Sequence, residues 1–252
     1  MRIIISPAKK MNVDRDTLQC QGLPIYLEKA KDIMDWMKCL TLEEAKALWG
    51  CNNKLAQLNY SRFQSMNLRL CLTPALLSYE GIQYQYMAPN VFTQEAWDYV
   101  QKNLRVLSGF YGVLRPLDGV VPYRLEMQAK ARPKGADSLY DYWGDKLYQA
   151  VLDESRVIIN LASKEYAKCI EKYVVSEDTW ITCVFGEMQD GKVKQKGTQA
   201  KMARGEMVRF MAENRIEKPK GLKEFQGLGY RYQEELSSES EYVFVKQRNG
   251  GR

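Results

Sequence analysis

The segment Arg156-Val157-Ile158-Ile159-Asn160-Leu161-Ala162-Ser163-Lys164-Glu165-Tyr166 joins an apolar run to a stretch with helical spacing. The branched apolar residues of 156–161 predict a buried strand, and 164–173 follows it as a helix. A second apolar run, Arg2–Ile5, ends in the similar sequence Ser6-Pro7-Ala8-Lys9. Strands alternating with helices predict a sheet core with flanking helices, which is a mixed α/β (α+β) fold.

The rest of the chain follows the same plan. Apolar spacing predicts further helices at 26–37, 42–49, 52–66, 73–78, 93–103, 138–152 and 198–214. Further strands are predicted at 180–185, 192–195 and 242–246, and a turn at Asp190-Gly191 joins the first two as a hairpin. Residues 10–24 and 84–90 are predicted as irregular segments. No internal repeat or low-complexity linker interrupts the pattern, so a single domain is expected over 1–252.

The composition restricts the chemistry. The 252 residues include 37 Lys plus Arg, 31 Asp plus Glu and no histidine, for a net charge of +6. The missing histidine excludes Ser-His-Asp catalysis, HExxH metalloproteases, Cys2His2 zinc fingers and the facial triad of non-haem iron oxygenases. The charge is a mild indication of an anionic partner. Chemistry must therefore come from carboxylates, Lys, Arg, Tyr, Ser, Cys or backbone.

The cysteines and the N-terminal segment indicate the compartment. Six cysteines occur without a CxxC pair, which argues against structural zinc and an iron–sulfur cluster, and we interpret them as small buried apolar residues. The apolar run Arg2–Ile5 is too short for a signal peptide, and no stretch approaches the ~20 apolar residues of a membrane span. We expect a reduced cytoplasmic protein with free thiols, no membrane partner, no metal site and no cofactor.

The stretch 107–127 is dense in Gly, Tyr, Arg and Pro. Two glycines three residues apart allow a close backbone approach, and prolines fix the following loop positions. There Arg115 and Arg124 present planar forks suited to phosphate or carboxylate, and Asp118 or Glu126 can orient them or act as a base. The alternative is a buried structural network of arginine and carboxylate that closes a loop.

Two strands end in a serine, Ser6 and Ser163. Ligands collect where the strands of α/β folds end, and a serine before a helix N-terminus can hold an anion. The alternative for Ser163 is an ordinary N-cap, with Tyr166 covering the core. Two such ends in one chain favour a shared cleft.

The helix predicted at 198–214 carries Lys201, Arg204 and Gly205 on one side. A glycine inside a helix costs about 1 kcal/mol relative to alanine. Gly205 therefore indicates close approach by a ligand or by neighbouring backbone, and the two cations beside it favour an anion. The alternative is a solvated basic face.

The turn between the helices at 42–49 and 52–66 approximates the hairpin of a helix-hairpin-helix. Such hairpins bind DNA phosphates through backbone N–H groups without reading sequence. Gly50 begins the turn, and Asn52, where glycine is usual, tolerates a left-handed backbone. Lys54 and Arg62 would add phosphate contacts. The alternative is a plain pair of antiparallel helices.

Several motifs together resemble the bacterial YaaA family of peroxide stress proteins along essentially the whole chain. They are Ile5-Ser6-Pro7-Ala8-Lys9, the SGFYGVLRPLD run at 108–118, the PYRLEM run at 122–127, Trp143-Gly144, the NLASKEY run at 160–166 and Ala203-Arg204-Gly205. Met202 is a departure, because members often carry a second lysine there. That change reduces the positive charge near Arg204.

The resemblance implies a cytoplasmic protein that protects against hydrogen peroxide by lowering available intracellular iron. It also implies a positively charged cleft, a helix-hairpin-helix at 41–66, and binding to duplex and branched DNA. With the motifs above, the residues assigned to the cleft are Ser6, Lys9, Ser108, Tyr111, Arg115, Tyr123, Arg124, Asn160, Ser163, Tyr166, Lys201, Arg204 and Gly205. Those assigned to the DNA-binding hairpin are Gly50, Asn52, Lys54 and Arg62.

Two functions remain open from the sequence. One is a stress-response protein that binds DNA without sequence specificity. The other is an enzyme acting on a nucleotide or another phosphorylated small molecule in the same cleft, with Asp118, Glu126 or Glu165 as base. Direct iron sequestration fits poorly, because the chain has no histidine and no paired glutamate motif on facing helices.

Overall fold

A computed structural model describes residues 1–247 of the chain; the last five residues, 248–252, lie outside the described part. The strands of this part, in chain order, are Arg2–Ile5 (β1), Lys10–Met11 (β2), Thr73–Pro74 (β3), Tyr79–Glu80 (β4), Leu104–Ser108 (β5), Gly112–Leu114 (β6), Gly119–Val120 (β7), Val157–Leu161 (β8), Thr179–Gln189 (β9), Lys192–Lys194 (β10), Tyr230–Tyr232 (β11) and Glu241–Lys246 (β12).

The central sheet has the strand order β11-β12-β9-β8-β1-β5-β6, and β10 pairs with β9. Strands β12, β9, β8, β1 and β5 are parallel, whereas β11 and β6 are antiparallel at the two edges. β1 lies between β5 and β8, with Ile5 opposite Val106 on one side and Leu161 on the other. A strand covered on both faces needs a continuous apolar run, which explains the three isoleucines of β1. The predicted mixed α/β class is confirmed.

The helices surround this sheet. In chain order they are Leu27–Lys38 (α1), Leu42–Trp49 (α2), Asn53–Ser65 (α3), Ala75–Ser78 (α4), Ile82–Met87 (α5), Gln94–Asn103 (α6), Leu139–Trp143 (α7), Lys146–Val151 (α8), Lys164–Glu171 (α9) and Gly197–Glu213 (α10), with short 3-10 turns at Pro89–Val91, Pro133–Gly135, Pro219–Glu224, Gly227–Gly229 and Glu234–Leu236. Thr41, Asn52 and Thr93 cap α2, α3 and α6 through side-chain oxygens, as their residue types favour.

Four predicted elements need correction. The continuous helix at 138–152 is wrong, because Gly144 has φ 56° and ψ −138° and separates α7 from α8. The irregular segment at 84–90 is wrong, because most of it belongs to α5. The helix at 73–78 begins only at Ala75, since Thr73–Pro74 pairs with β7 as a strand. The irregular segment at 10–24 includes strand β2.

Most of the buried apolar side chains form one connected core. The predicted strands at 2–5, 156–161, 180–185 and 242–246 all contribute to it. The single domain expected over 1–252 includes residues 248–252, which lie outside the described residues. Among residues 1–247, no helix combines the length and the apolar character that crossing a membrane requires.

Candidate functional site

Strands β1 and β8 end side by side, and each continues into a serine. The backbone N–H of Ser163 donates to Ser6 Oγ at 2.8 Å, and the two hydroxyl oxygens lie 3.1 Å apart. Ser163 occupies the N-cap position of α9, but its side chain makes no cap hydrogen bond. Its hydroxyl therefore meets Ser6 instead of the helix, and the structure brings the two strand ends into one place.

A cavity of about 500 Å³ opens at these strand ends. Sites for small molecules typically span ~300–1,000 Å³, so its volume suits a metabolite or one nucleotide. The residues assigned from sequence that line it are Ser6, Lys9, Tyr123, Arg124, Glu126, Ser163, Glu165, Tyr166, Lys201 and Arg204. Ten residues assigned from sequence therefore lie together in one cavity.

Two guanidinium groups in the cavity wall are incompletely paired. The Nε atoms of Arg124 and Arg204 are enclosed and have no hydrogen-bond partner among residues 1–247. Arg124 Nη2 donates to Glu126 Oε1 at 3.2 Å, whereas Arg204 forms no ion pair within that range. Desolvation by burial lowers the pKa of Arg204. An anion in the cavity would supply the partner that a buried cation needs.

Three carboxylates line the same cavity, Glu80, Glu126 and Glu165, and the last two differ in their surroundings. Glu126 Oε1 accepts from Lys9 Nζ at 2.9 Å and from Arg124 Nη2 at 3.2 Å. Glu165 Oε1 accepts from the backbone N–H of Gln128 at 3.2 Å. Burial raises the pKa of Glu165, and the nearby charge of Glu126 adds to the rise. Of the two, Glu165 is the better candidate for a proton acceptor, because Glu126 is held by two cations.

We expect Glu165→Gln to increase the free energy of unfolding at neutral pH, with a gain that shrinks in acid. The folded-state pKa of Glu165 lies above its unfolded value, so the ionised carboxylate destabilises the fold at neutral pH. Below the ordinary glutamate pKa of about 4.3, both states are protonated and the penalty disappears. Urea denaturation of both proteins at neutral and acidic pH measures the difference. A pH-independent difference would contradict this origin.

Tyrosine side chains contribute to the wall of the cavity, and their hydroxyls form hydrogen bonds. Tyr84 donates from its hydroxyl to the carbonyl oxygen of Ser6 at 2.9 Å. The hydroxyl of Tyr123 lies 2.8 Å from that of Tyr79 and 2.6 Å from Ser108 Oγ. Burial raises the pKa of Tyr123 to about 12, so this phenol remains neutral at physiological pH. These hydroxyls fix the cavity wall through neutral hydrogen bonds.

Three residues assigned to the cleft lie in the protein interior behind it. Ser108 is fully buried, and its Oγ accepts from the backbone N–H of Tyr111 at 2.9 Å. The hydroxyl of Tyr111 accepts from the backbone N–H of Val121 at 3.2 Å. Asn160 Oδ1 accepts from the backbone N–H of Ala162 at 2.9 Å. Their hydrogen bonds hold the loops that follow β5 and β8.

Arg115 and Asp118 lie outside the cavity as well. Asp118 Oδ2 accepts from the backbone N–H of Arg115 at 2.8 Å, and Oδ1 accepts from its Nε at 3.0 Å. Asp118 is buried, and the pair closes the turn after β6. Arg115 lines two depressions with Arg105, away from the cavity. Asp118 is therefore held in an ion pair that closes a turn, and neither residue contributes to the cavity at the ends of β1 and β8.

Gly205 permits close packing of α10 against α5. A Cβ atom at this position would lie 2.0 Å from the carbonyl oxygen of Gln83. The close approach predicted from sequence is therefore that of neighbouring backbone. Gly205 supports the cavity indirectly, because Gln83 and Tyr84 on α5 both line it.

Sequence reasoning missed the cavity residues from 80 to 84 and one neighbour of Lys9. They are Lys10, Glu80, Gly81, Ile82, Gln83 and Tyr84. Strand pairing between β2 and β4 brings this segment to the strand ends. The pair Glu80-Gly81, a charged residue before a glycine, could have indicated a functional segment. The apolar residues around it, however, follow no recognisable helical or strand period.

The two helices α2 and α3 meet in a short exposed turn. Gly50 has φ 54° and ends α2. Asn52 is extended, with φ −72°, so the left-handed backbone considered for it is not adopted; its Oδ1 instead accepts from the backbone N–H of Leu55 at 3.0 Å and caps α3. Lys54 is exposed, and Arg62 is half-buried with its Nη1 3.4 Å from Asn59 Oδ1. Burial lowers the pKa of Arg62. Within residues 1–247, neither Lys54 nor Arg62 forms an ion pair with a carboxylate.

The thiols and carboxylates give a further correction. Cys169 and Cys183 are buried, but Cys39 and Cys71 are exposed, and Cys20 and Cys51 are intermediate. The interpretation of all six cysteines as buried apolar residues is therefore wrong. In the part of the chain that the structure describes, no group of three or more Cys, Asp or Glu side chains is arranged to hold a metal ion.

The similarity to known proteins extends over both the cavity residues and the turn between α2 and α3. The family model described as "Peroxide stress protein YaaA" matches residues 1–236. A UPF0246 protein of Agathobacter rectalis is 57% identical over 246 residues, which cover 98% of this chain and 99% of that relative. UPF0246 proteins of Desulfitobacterium hafniense and Pediococcus pentosaceus are 54% and 53% identical, each covering 98% of both chains. The resemblance found in the sequence is confirmed, and the chain belongs to the YaaA (UPF0246) family of peroxide stress proteins.

Proposed function

We propose that this protein serves the peroxide stress response in the cytoplasm by binding duplex or branched DNA without reading its sequence, and that it protects DNA while limiting available intracellular iron. The family description supports the peroxide-stress role. Because the sequence lacks histidine, iron limitation is proposed to act by a route other than direct chelation by imidazole.

The observation that carries DNA binding is the capped turn between α2 and α3. A left-handed Gly50 and an N-capping Asn52 expose the start of α3, where backbone N–H groups lack partners within the helix. Such a start binds phosphate oxygens without contacting bases. This exposed start of α3, after a short turn from α2, is the feature on which the proposal of a helix-hairpin-helix rests.

The charges of the hairpin favour the same partner. Lys46 lies 3.7 Å from Glu43, so this lysine already has a carboxylate. Glu44 accepts from the backbone N–H of Thr41 at 2.7 Å in a capping box. Lys54 and Arg62 are thus the cations of the hairpin that remain available for phosphates.

We expect Lys54→Gln to weaken duplex binding and to flatten its salt dependence. Loss of one phosphate contact should reduce the slope of log affinity against log salt concentration by about 0.9. Fluorescence anisotropy of a labelled duplex, measured over a series of KCl concentrations, gives both quantities. The matched control is Lys46→Gln, in the same hairpin, which should keep the slope. Equal effects of the two substitutions would contradict a contact by Lys54.

The cavity supports a second candidate function. Arg204 places an incompletely paired guanidinium in a cavity of about 500 Å³, which admits a nucleotide but not a duplex. Arg124, Lys201 and Arg204 would bind the phosphate of a phosphorylated small molecule, and Glu165 would serve as base. This candidate predicts a tightly localised ligand, and it is compatible with DNA contact at the hairpin.

A further inference from the structure

A second group of cationic side chains lies at the opposite end of the sheet from the cavity. Arg2 begins β1, and Arg105 lies near the start of the parallel strand β5. Two neighbouring depressions, of about 420 and 350 Å³, both have Arg105 and Arg115 in their walls. Arg2, Arg105 and Arg115 are called the arginine cluster below.

Asp98 lines the larger depression and Asp118 the smaller one, but ion pairs with carboxylates balance only two members of the cluster, Arg2 and Arg115. Asp118 uses both oxygens on Arg115, one on the backbone N–H at 2.8 Å and one on Nε at 3.0 Å. Asp153 Oδ2 lies 3.3 Å from Arg2 Nε. Arg105 has no ion pair among residues 1–247.

Arg105 is therefore a buried cation held by carbonyl groups alone. It is 8% exposed, and its Nη1 donates to the carbonyl oxygens of Leu104 at 2.7 Å and Gln101 at 3.2 Å. Burial lowers the pKa of Arg105 to about 10, and the charges of Arg2 and Arg115 add to this effect against the opposing attraction of Asp118 and Asp153. An anion beside Arg105 would compensate both the desolvation and the repulsion.

The smaller depression combines this charge with an apolar wall. Ile25, Val113 and Ala150 line it together with Arg105, Arg115 and Asp118, and both oxygens of Asp118 are already bonded to Arg115. Ile25 is 66% exposed, so its side chain is accessible to a ligand in this depression. Guanidinium forks recognise phosphate oxygens in pairs, and apolar walls hold the body of a ligand. We propose that the arginine cluster binds the phosphate group of a small phosphorylated molecule whose apolar part contacts Ile25, Val113 and Ala150.

Isothermal titration with adenosine monophosphate tests this site in an Arg204→Gln background, where the cavity has lost its own arginine. We expect adenosine monophosphate to bind this protein, and Arg115→Gln to weaken the binding at least tenfold. The matched control is Arg209→Gln, which removes a surface arginine that is paired with Glu213 at 2.7 Å and should leave the affinity unchanged.

A second pair of variants separates binding from folding, since Ile25 is mostly exposed and its replacement leaves the core intact. Ile25→Glu brings a like charge to the phosphate and should abolish binding, whereas Ile25→Gln should reduce it less. No binding of adenosine monophosphate, or binding that neither Arg115→Gln nor Ile25→Glu weakens, would overturn the site. Inorganic phosphate binding as tightly as the nucleotide would overturn the apolar contact. None of these outcomes bears on the hairpin or the cavity.

Discussion

Gly205→Ala should destabilise the protein by roughly 3 kcal/mol, since overpacking between closely packed elements costs this much when neither can shift. The added Cβ would lie 2.0 Å from the carbonyl oxygen of Gln83 and 3.0 Å from the backbone nitrogen of Met87. Both neighbours are backbone atoms of α5, so the clash can be relieved only by separating the two helices. Because Gln83 and Tyr84 of α5 line the cavity, the shape of the cavity should change as well.

The same helix offers a matched control at its first residue. A Cβ on Gly197 would meet no atom within 4 Å, and alanine is the better helix former. Gly197→Ala should therefore be neutral or slightly stabilising. Urea denaturation of the unmodified protein and the two variants gives the three free energies of unfolding. Unchanged stability in Gly205→Ala would mean that α5 and α10 are not packed as described.

Arg204→Gln should weaken anion binding in the cavity by about ten- to a hundredfold, because a hydrogen bond to a charged group contributes about 1.5–3 kcal/mol. The same substitution should leave the free energy of unfolding unchanged or raise it. Arg204 Nε is enclosed without a partner, and burial lowers the pKa of this guanidinium. Lost binding with retained stability is the signature of a residue placed for a ligand.

Amide chemical shifts of Ser163 and Lys164 during titration with adenosine monophosphate report on the cavity alone. Arg209→Gln is the matched control on the same helix, since Arg209 is half-buried, lies outside the cavity and pairs with Glu213. It should leave the titration unaltered. If Arg204→Gln lowers stability and leaves the titration unaltered, Arg204 is a structural residue.

The strand ends could be predicted from the sequence because their signals are local. The apolar run of β1 and that of β8 each lead into a serine, and parallel neighbours present their carboxyl ends at one edge of a sheet. No distant contact was needed to place Ser6 beside Ser163. Arg204 and Lys201 followed from helical spacing alone.

The helix α5 could not be predicted in the same way. Its six residues are too few to be stable alone, and it is held by close backbone packing on Gly205, more than a hundred residues later in the chain. The glycine indicated a close approach without showing which element makes it. The cavity residues Gln83 and Tyr84 were missed for this reason.

The residues of the continuous stretch 107–127 lie at two separate sites, as Arg115 shows. Strand β5 ends at Ser108 at the edge of the sheet that forms the cavity, but β6 runs antiparallel to it and returns the chain to the opposite edge. Arg115 follows β6 and therefore lies beside Arg105, near the start of β5. Arg124, only nine residues later, is back in the cavity wall. Because Arg115 and Arg124 are close in sequence, both were expected in one cleft. The antiparallel pair β5–β6 instead places them at two separate sites.

The most direct test of the proposed function is the affinity of the unmodified protein for a DNA duplex over a range of salt concentrations. Binding through the hairpin cations and backbone N–H groups predicts a linear fall of log affinity with log salt concentration, by about 0.9 for each phosphate contacted. Duplexes of unrelated sequence should give the same line. Absence of duplex binding, or an affinity that does not change with salt, would contradict DNA binding as the function of this protein.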